Sequence, residues 1–270
     1  MPKILITGAS GLLGTKLMNT MPGAVGWCYT HDAPGATAVD ITSEAEVTGA
    51  MDRLRPDVCI HCAANANIVS CENQPDDARR LNVEGTRYVA AACKRYDTRL
   101  IFISTDYVFD GSREAYTESD SPAPLQVYGQ TKAQAEELVL RNTASLVLRL
   151  PLLYGYNGPN DKLTWPREVR EKLAAGVTID ADDRELRQPT SIDAVARVLA
   201  ELITRDVTGV LHCAAQQGMT KYSWAQKLAK ELGYTGELIR PTYGVSPGAR
   251  RPLRSWLLVD RLRAMNLEAN

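Results

Sequence analysis

Short β-branched and aliphatic runs alternate with longer amphipathic stretches through the first 154 residues, and few folds accept that rhythm. KILIT precedes a helix from Leu12, VGWCYT a helix from about Ser43, and DVCIHCA a helix from about Pro75 to Tyr96. RLIFIST then leads to a helix from about Val127 to Arg141, followed by SLVLRLPLLYG. Near-continuous apolar strands joined by helices are what a parallel sheet covered on both faces requires. The expectation is an α/β chain built on a doubly wound parallel sheet of Rossmann type.

After Tyr154 the pattern loosens through YNGPNDKLTWP and resumes with a helix near Ser191–Thr204 and a strand at 209–215 that should rejoin the sheet. The expected division is a dinucleotide-binding domain over 1–154, joined by about 190–216. Residues 155–189 and 217–270, richer in Pro and Gly, should form a smaller substrate lobe at the carboxyl ends of the strands, where such sheets hold ligands.

The first strand runs into Gly8-Ala9-Ser10-Gly11-Leu12-Leu13-Gly14. Glycines between a strand and a helix let a pyrophosphate approach backbone N–H groups at the helix N-terminus, where the dipole favours negative charge. Gly8, Ser10, Gly11, Leu12, Leu13 and Gly14 are therefore candidate cofactor contacts. At the end of the second strand, where an acid would bind a ribose 2′-hydroxyl and repel a 2′-phosphate, stand Thr30 and His31, with Asp32 one step further. That leans the cofactor toward NADP, with NAD open.

Tyr128 and Lys132 lie four apart, on one face of a helix. A tyrosine can donate a proton to a reduced carbonyl, and a neighbouring ammonium should lower its pKa from about 10. Ser104 and Thr105 end the fifth strand, where a hydroxyl can bond the same carbonyl oxygen, and Asn82 falls in the preceding helix. A capped strand end and a solvated helix Asn are the plainer readings of those two positions.

Charge and composition exclude other classes. The 31 Lys and Arg nearly cancel the 32 Asp and Glu, which argues against a dedicated nucleic-acid or membrane-surface protein. No stretch reaches the roughly eighteen apolar residues of a membrane helix, and MPKILITG lacks leader features, so a cytoplasmic protein is expected. Six cysteines are too few for a disulfide scaffold at this length, and Cys59 and Cys62, three apart on a strand, face opposite ways, so no metal site is expected. Residues 217–270 hold nine Lys or Arg against four acids. Within them, SPGARRP fixes Arg250 and Arg251 on a stiff turn suited to phosphate, which points to an anionic small-molecule substrate.

The order of glycine-rich turn, Asn82, Thr105 and Tyr128-x-x-x-Lys132 resembles a short-chain dehydrogenase/reductase. ISTDYVFDG at 103–111, YGQTK and LRLPLLYG look like the dTDP-4-dehydrorhamnose reductase branch of the extended members, over nearly the whole chain. HCAANANIVSCENQP, RQPTSIDAVA, GMTKYSWAQKLA and GARRPLRS also resemble the regulatory beta subunit of methionine adenosyltransferase, a member that keeps the fold and NADP binding. The resemblance implies an NADPH-preferring reductase of a keto group on a nucleotide-activated deoxysugar, or alternatively a catalytically idle NADP-binding subunit. A homodimer is compatible with either.

Carried over residue by residue, the resemblance makes Thr105, Tyr128 and Lys132 catalytic. It adds Asp40 and Ile41 beside the adenine, and Cys62, Ala63, Ala64, Asn82 and Lys132 along the cofactor, with His31 near the ribose. Asp106, Tyr107, Arg187 and Arg251 join Thr105 and Tyr128 at the substrate. One departure is Arg149-Leu150-Pro151-Leu152, where the rhamnose reductases usually carry a Trp beside the sugar; Leu152 offers no flat stacking surface for a pyranose.

Overall fold

The computed structural model describes residues 2–142, 144–157, 164–244 and 248–270. Parts of the expected loops YNGPNDKLTWP and SPGARRP therefore lie outside the described residues. Seven parallel strands form the central sheet in the order β10-β6-β5-β4-β1-β2-β3. These are β1 (Ile4–Thr7), β2 (Val25–Cys28), β3 (Ala36–Ala38), β4 (Val58–His61), β5 (Arg99–Thr105), β6 (Leu146–Leu150) and β10 (Gly209–His212). As expected, the strand at 209 rejoins the sheet, pairing Gly209 with Leu146 and His212 with Arg149.

The chain runs outward from β1 through β2 to β3, then restarts at β4 on the other side of β1. That reversal opens a crevice beyond the carboxyl ends of β1 and β4, the place where such sheets bind ligands. Helices cover both faces. On one, α1 (Leu12–Thr20), α8 (Ile192–Thr204) and α10 (Asp260–Ala264) pack on Ile6, Ile60, Ile101 and Leu148. On the other, α2 (Glu44–Leu54), α5 (Thr86–Arg95) and α6 (Val127–Leu140) pack on Leu5, Cys59, Leu100, Phe102 and Val147. Alternating strand residues thus serve opposite cores, which is why the strands read as near-continuous apolar runs.

Ahead of α5 come α3 (Ile68–Asn73), α4 (Pro75–Arg79) and a π-helical stretch over Arg80–Gly85. The widened turn carries Asn82, and irregularities of this kind gather at functional sites. Gly85 is needed there: a Cβ at that position would stand 2.9 Å from Ile41 Cδ1.

A smaller cluster joins α7 (Trp165–Ala174) and α9 (Lys221–Glu231) to the parallel pair β8 (Ile179–Asp182) and β11 (Ile239–Thr242), around Val169, Leu173, Ile179, Ala225 and Ile239. The short strands β7 (Leu153–Tyr154) and β9 (Thr190–Ser191) pair where the chain leaves and re-enters the main sheet. Residues 257–269 pack by Leu257, Val259, Leu262 and Leu267 into the core beneath α8.

The glycine turn is the tightest joint in the fold. Gly8 has φ +68°, and a Cβ on Gly14 would lie 2.1 Å from the Gly8 carbonyl oxygen. Since backbone atoms cannot swing aside, Gly14→Ala should cost about 3 kcal/mol or more, the upper end for overpacking, and lower the melting temperature by roughly 5–10 °C. Gly11→Ala, whose Cβ would lie 3.3 Å from the same oxygen, should cost less than about 1 kcal/mol. Equal melting temperatures for the two variants would contradict this account of the turn.

Candidate functional site

Three backbone segments converge at the crevice. Gly8 is so close to the chain after β4 that a Cβ there would lie 2.7 Å from the Ala63 nitrogen and 3.0 Å from the Cys62 carbonyl carbon. The Ala63 N–H donates to Thr7 Oγ1 at 3.3 Å, fastening the two strand ends together. Gly11 caps α1 without a side chain, leaving the N–H groups of that helix end to face a ligand. Gly8, Ser10, Gly11, Leu12, Leu13 and Gly14 thus form one backbone cradle with Cys62, Ala63 and Ala64 against it, and a side chain at Gly8 or Gly14 would fill it.

Behind this cradle runs a buried chain of hydrogen bonds. Thr86 Oγ1 donates to the Asn82 carbonyl at 2.7 Å and stands 3.0 Å from His61 Nε2, while Thr7 Oγ1 stands 2.6 Å from His61 Nδ1. The Thr86 proton is committed to Asn82, so Nε2 carries the His61 proton and Nδ1 accepts from Thr7. Burial, then the Lys132 ammonium, push the His61 pKa down to about 3. A neutral imidazole is the form this chain requires.

Asn82 is fully buried, which overturns the solvated reading. Its Oδ1 accepts from the Asn65 N–H at 2.8 Å, and its Nδ2 donates to the Asn65 carbonyl at 3.1 Å and to Thr131 Oγ1 at 3.0 Å. It clasps the loop after β4 to the helix of Tyr128 and Lys132.

Gln126 Oε1 caps α6 by accepting from the Gly129 N–H at 2.5 Å, and the 3₁₀ turn Asp106–Val108 lies against the first turn of that helix. Tyr128 meets Tyr107 edge-on, with ring centroids 6.3 Å apart. Thr105 and Tyr128 face each other, and Lys132 follows one turn along α6; all three are nearly buried. Burial pushes the Tyr128 phenol above its ordinary value, and the facing Thr105 hydroxyl pulls it partly back. The net direction is opposite to the lowering expected from the Tyr–Lys spacing, because lost hydration of the phenolate outweighs the Thr105 hydrogen bond, and the Lys132 ammonium acts instead on His61 and Cys62. Lys132 bears the same cost, and burial pushes it down to about 7. Its Nζ lies 3.9 Å from the centroid of the Phe102 ring, an electron-rich face.

Thr105, not Ser104, faces the site. Successive strand residues point to opposite sides, and Ser104 Oγ donates to Glu136 Oε1 at 2.5 Å, behind α6. Asp106 is buried, and burial raises its pKa while Arg187 and the Ser255 hydroxyl work against the rise. Arg187 is committed to internal partners: it donates to Ser255 Oγ at 2.7 Å and to the Pro252 carbonyl at 3.1 Å, and pairs with Glu185 at 3.2 Å and Asp106 at 3.5 Å. Its guanidinium also covers the Tyr107 ring at 4.7 Å. It ties the Thr105 turn to the small lobe, instead of presenting a free fork to an anion.

At the far end of the crevice His31 is exposed, its Nδ1 3.0 Å from Thr30 Oγ1. Asp40 Oδ1 accepts from the Thr42 N–H and hydroxyl, each at 2.8 Å. The Ile41 side chain is buried in the core against Gly85, so only its backbone faces outward. On the lobe side, Arg251 borders a cavity of about 440 Å³ with Asp110, Ser112, Arg184, Glu185 and Arg250. Gly111 meets the loop there, a Cβ falling 2.7 Å from Pro252 Cβ.

His61, Thr7, Thr86 and Glu136 escaped the motif reading because each acts on another protein group. Only Glu136 left a signal, four residues after Lys132 on the same helical face.

Comparison with known proteins agrees with this geometry. A family model described as RmlD substrate binding domain matches residues 2–269. Among curated relatives, "Probable low-salt glycan biosynthesis reductase Agl14" of Haloferax volcanii is 34% identical, covering 95% of this chain and 90% of that protein. Methionine adenosyltransferase 2 subunit beta of Rattus norvegicus is 32% identical, covering 98% and 83% respectively. Among solved structures, a hypothetical dTDP-4-dehydrorhamnose reductase from Sulfolobus tokodaii superposes with TM-score 0.89 at 29% identity over 97% of this chain and 94% of that one. The dTDP-4-dehydrorhamnose reductase of Bacillus anthracis in complex with NADP gives 0.88 at 26% identity over 98% and 92%. A match that runs from the second residue to the last but one leaves no part of the fold outside it, and the chain belongs to the RmlD substrate binding domain family.

Proposed function

We propose that this protein is a nicotinamide-dependent reductase of a keto group on a nucleotide-activated deoxysugar, with NADPH favoured over NADH. The observation that supports this reading is the Thr105 hydroxyl facing the buried Tyr128 phenol, with Lys132 one turn along the same helix and close to Cys62 at the glycine cradle. The NADP complex of the Bacillus anthracis relative supports the cofactor class.

In this reading the N–H groups of Gly11, Leu12 and Leu13 hold a pyrophosphate, Asp40 and the Ile41 backbone border the adenine, and Lys132 reaches the nicotinamide ribose. Exposed His31 and Thr30, instead of an acid at the end of β2, leave room for a 2′-phosphate. A nicotinamide bound there supplies hydride to the substrate carbonyl. Because burial keeps the phenol protonated at neutral pH, Tyr128 Oη donates its proton to the developing alkoxide. Thr105 Oγ1 orients the carbonyl oxygen by a second hydrogen bond, and the Lys132 ammonium stabilises the phenolate that forms.

We assign cofactor binding to residues 1–154 with 190–216 and substrate binding to 155–189 with the segment from 217 as far as the Arg251 loop. Residues 257–269 return to the main core. Arg251 Nε is buried and meets no acceptor among the described residues, which supports an anionic group of the substrate as its partner. Arg187, Asp106 and Tyr107 shape the wall beside it.

The relationship to methionine adenosyltransferase 2 subunit beta, 32% identical over 98% of this chain, favours a second reading, an NADP-binding regulatory subunit. The variant Tyr128→Phe tests the first. Turnover of NADPH with a 4-keto nucleotide sugar should fall by ~10²–10⁴-fold, the ordinary contribution of a positioned proton donor, while the NADPH Kd stays within about threefold, since the ring is kept. A wild-type rate would exclude Tyr128 as the donor. Arg251→Ala should raise the KM for a nucleotide-diphosphate substrate by ~10-fold or more, the worth of a charge-assisted hydrogen bond, with little change in NADPH binding. An unchanged KM would return Arg251 to a surface role.

A further inference from the structure

Behind Tyr128 and Lys132, α6 carries another buried ionisable group. Glu136 stands one helical turn beyond Lys132 on the same face, and each side chain belongs to a residue only 2% exposed. Two strands converge on this carboxylate. Ser104 of β5 donates to Oε1 at 2.5 Å; Arg149 of β6 donates through Nε to Oε1 at 3.0 Å and through Nη2 to Oε2 at 2.7 Å. Arg149 Nη1 in turn reaches His212 Nε2 of β10 at 3.4 Å. His212 Nδ1 lies 3.0 Å from the Leu258 carbonyl and must be the protonated nitrogen, so Nε2 is free to accept. Burial and Arg149 together push the His212 pKa down to about 3, so this imidazole adds no charge.

The other groups facing Lys132 are neutral at pH 7. His61 at the end of β4 is held unprotonated, and burial pushes the Cys62 thiol up to about 12. From β5 comes the Phe102 ring. Glu136 is the anion among the described residues around this ammonium, and it is the strongest influence opposing the burial that would strip Lys132 of its proton.

We propose that Glu136 is a positioning residue, its carboxylate seated by Ser104 and Arg149 so that Lys132, one turn back on α6, holds its proton more tightly than burial alone would allow. Its importance for turnover rests on the role assigned above to Lys132; the electrostatic coupling itself does not. A purely structural role, a staple joining α6 to β5, β6 and β10, predicts the opposite sign on substitution. A loosened staple would admit water and let the Lys132 pKa rise toward about 10.4, whereas loss of a nearby anion lowers it.

Protein labelled with ¹³C-lysine, its Lys132 Cε signal assigned by its absence in Lys132→Met, reads the sign directly. The wild-type signal should titrate with a midpoint near 7, and Glu136→Gln should move that midpoint down by about one unit or more. Glu136→Gln leaves Arg149 buried without its anion and can fail to fold. Glu136→Gln combined with Arg149→Met removes both charges at similar volume, and its midpoint should fall as well, because Glu136 and not Arg149 acts on Lys132. A midpoint that rises or stays in either folded protein overturns the proposal, as does failure of both variants to fold, which would make Glu136 scaffold alone. The predicted fall in a protein that reduces no 4-keto nucleotide sugar would overturn the reductase reading and leave the coupling standing.

Discussion

Burying an ammonium deep in an α/β core costs several kcal/mol unless the surroundings favour its charge, and much of this structure is arranged around the one at Lys132. It lies between the face of Phe102, a carboxylate one turn along its own helix, and an imidazole that burial keeps neutral. Each partner is fastened from elsewhere: Glu136 by β5 and β6, His61 by Thr7 and Thr86. The β1, β4 and β5 ends, the π-helical stretch and α6 are consequently locked to one another. The glycine cradle and the Tyr128 phenol occupy the open side of that same block.

The sheet was legible because it is covered on both faces. Near-continuous apolar runs at KILIT, VCIH and LVLRL leave little choice but buried parallel strands, and the helices between them carry clear starts such as Ser43 and Ser191. The glycine turn was equally readable, since backbone contacts at Gly8 and Gly14 tolerate no side chain. Thr105, Tyr128 and Lys132 stood out by motif order, and the structure buries all three, with Thr105 facing Tyr128.

What escaped the sequence depends on direction and on burial. Ser104 and Thr105 are adjacent in the chain, yet the pleat sends one hydroxyl to Glu136 and the other to the site. Asn82 reads as an ordinary polar helix residue until the π-helical turn aims it at Asn65 and Thr131. Arg187 entered as a substrate contact by resemblance alone, because its internal acceptors lie far away in the chain at Asp106 and Pro252. The Tyr–Lys spacing suggests a lowered phenol, while the cost of removing a phenolate from water sets the opposite direction. Such outcomes follow from tertiary surroundings, which no local pattern encodes.

The proposed reaction has this crevice deliver a hydride and the Tyr128 proton to a sugar carbonyl. Purified protein given NADPH deuterated at the transferable C4 position and a panel of 4-keto nucleotide sugars, dTDP-4-dehydrorhamnose among them, tests it most directly by mass spectrometry. The account predicts a reduced sugar carrying one deuterium on the former carbonyl carbon. Absence of labelled product from every member of the panel, together with capture of a methionine adenosyltransferase catalytic subunit by the same preparation, would contradict it.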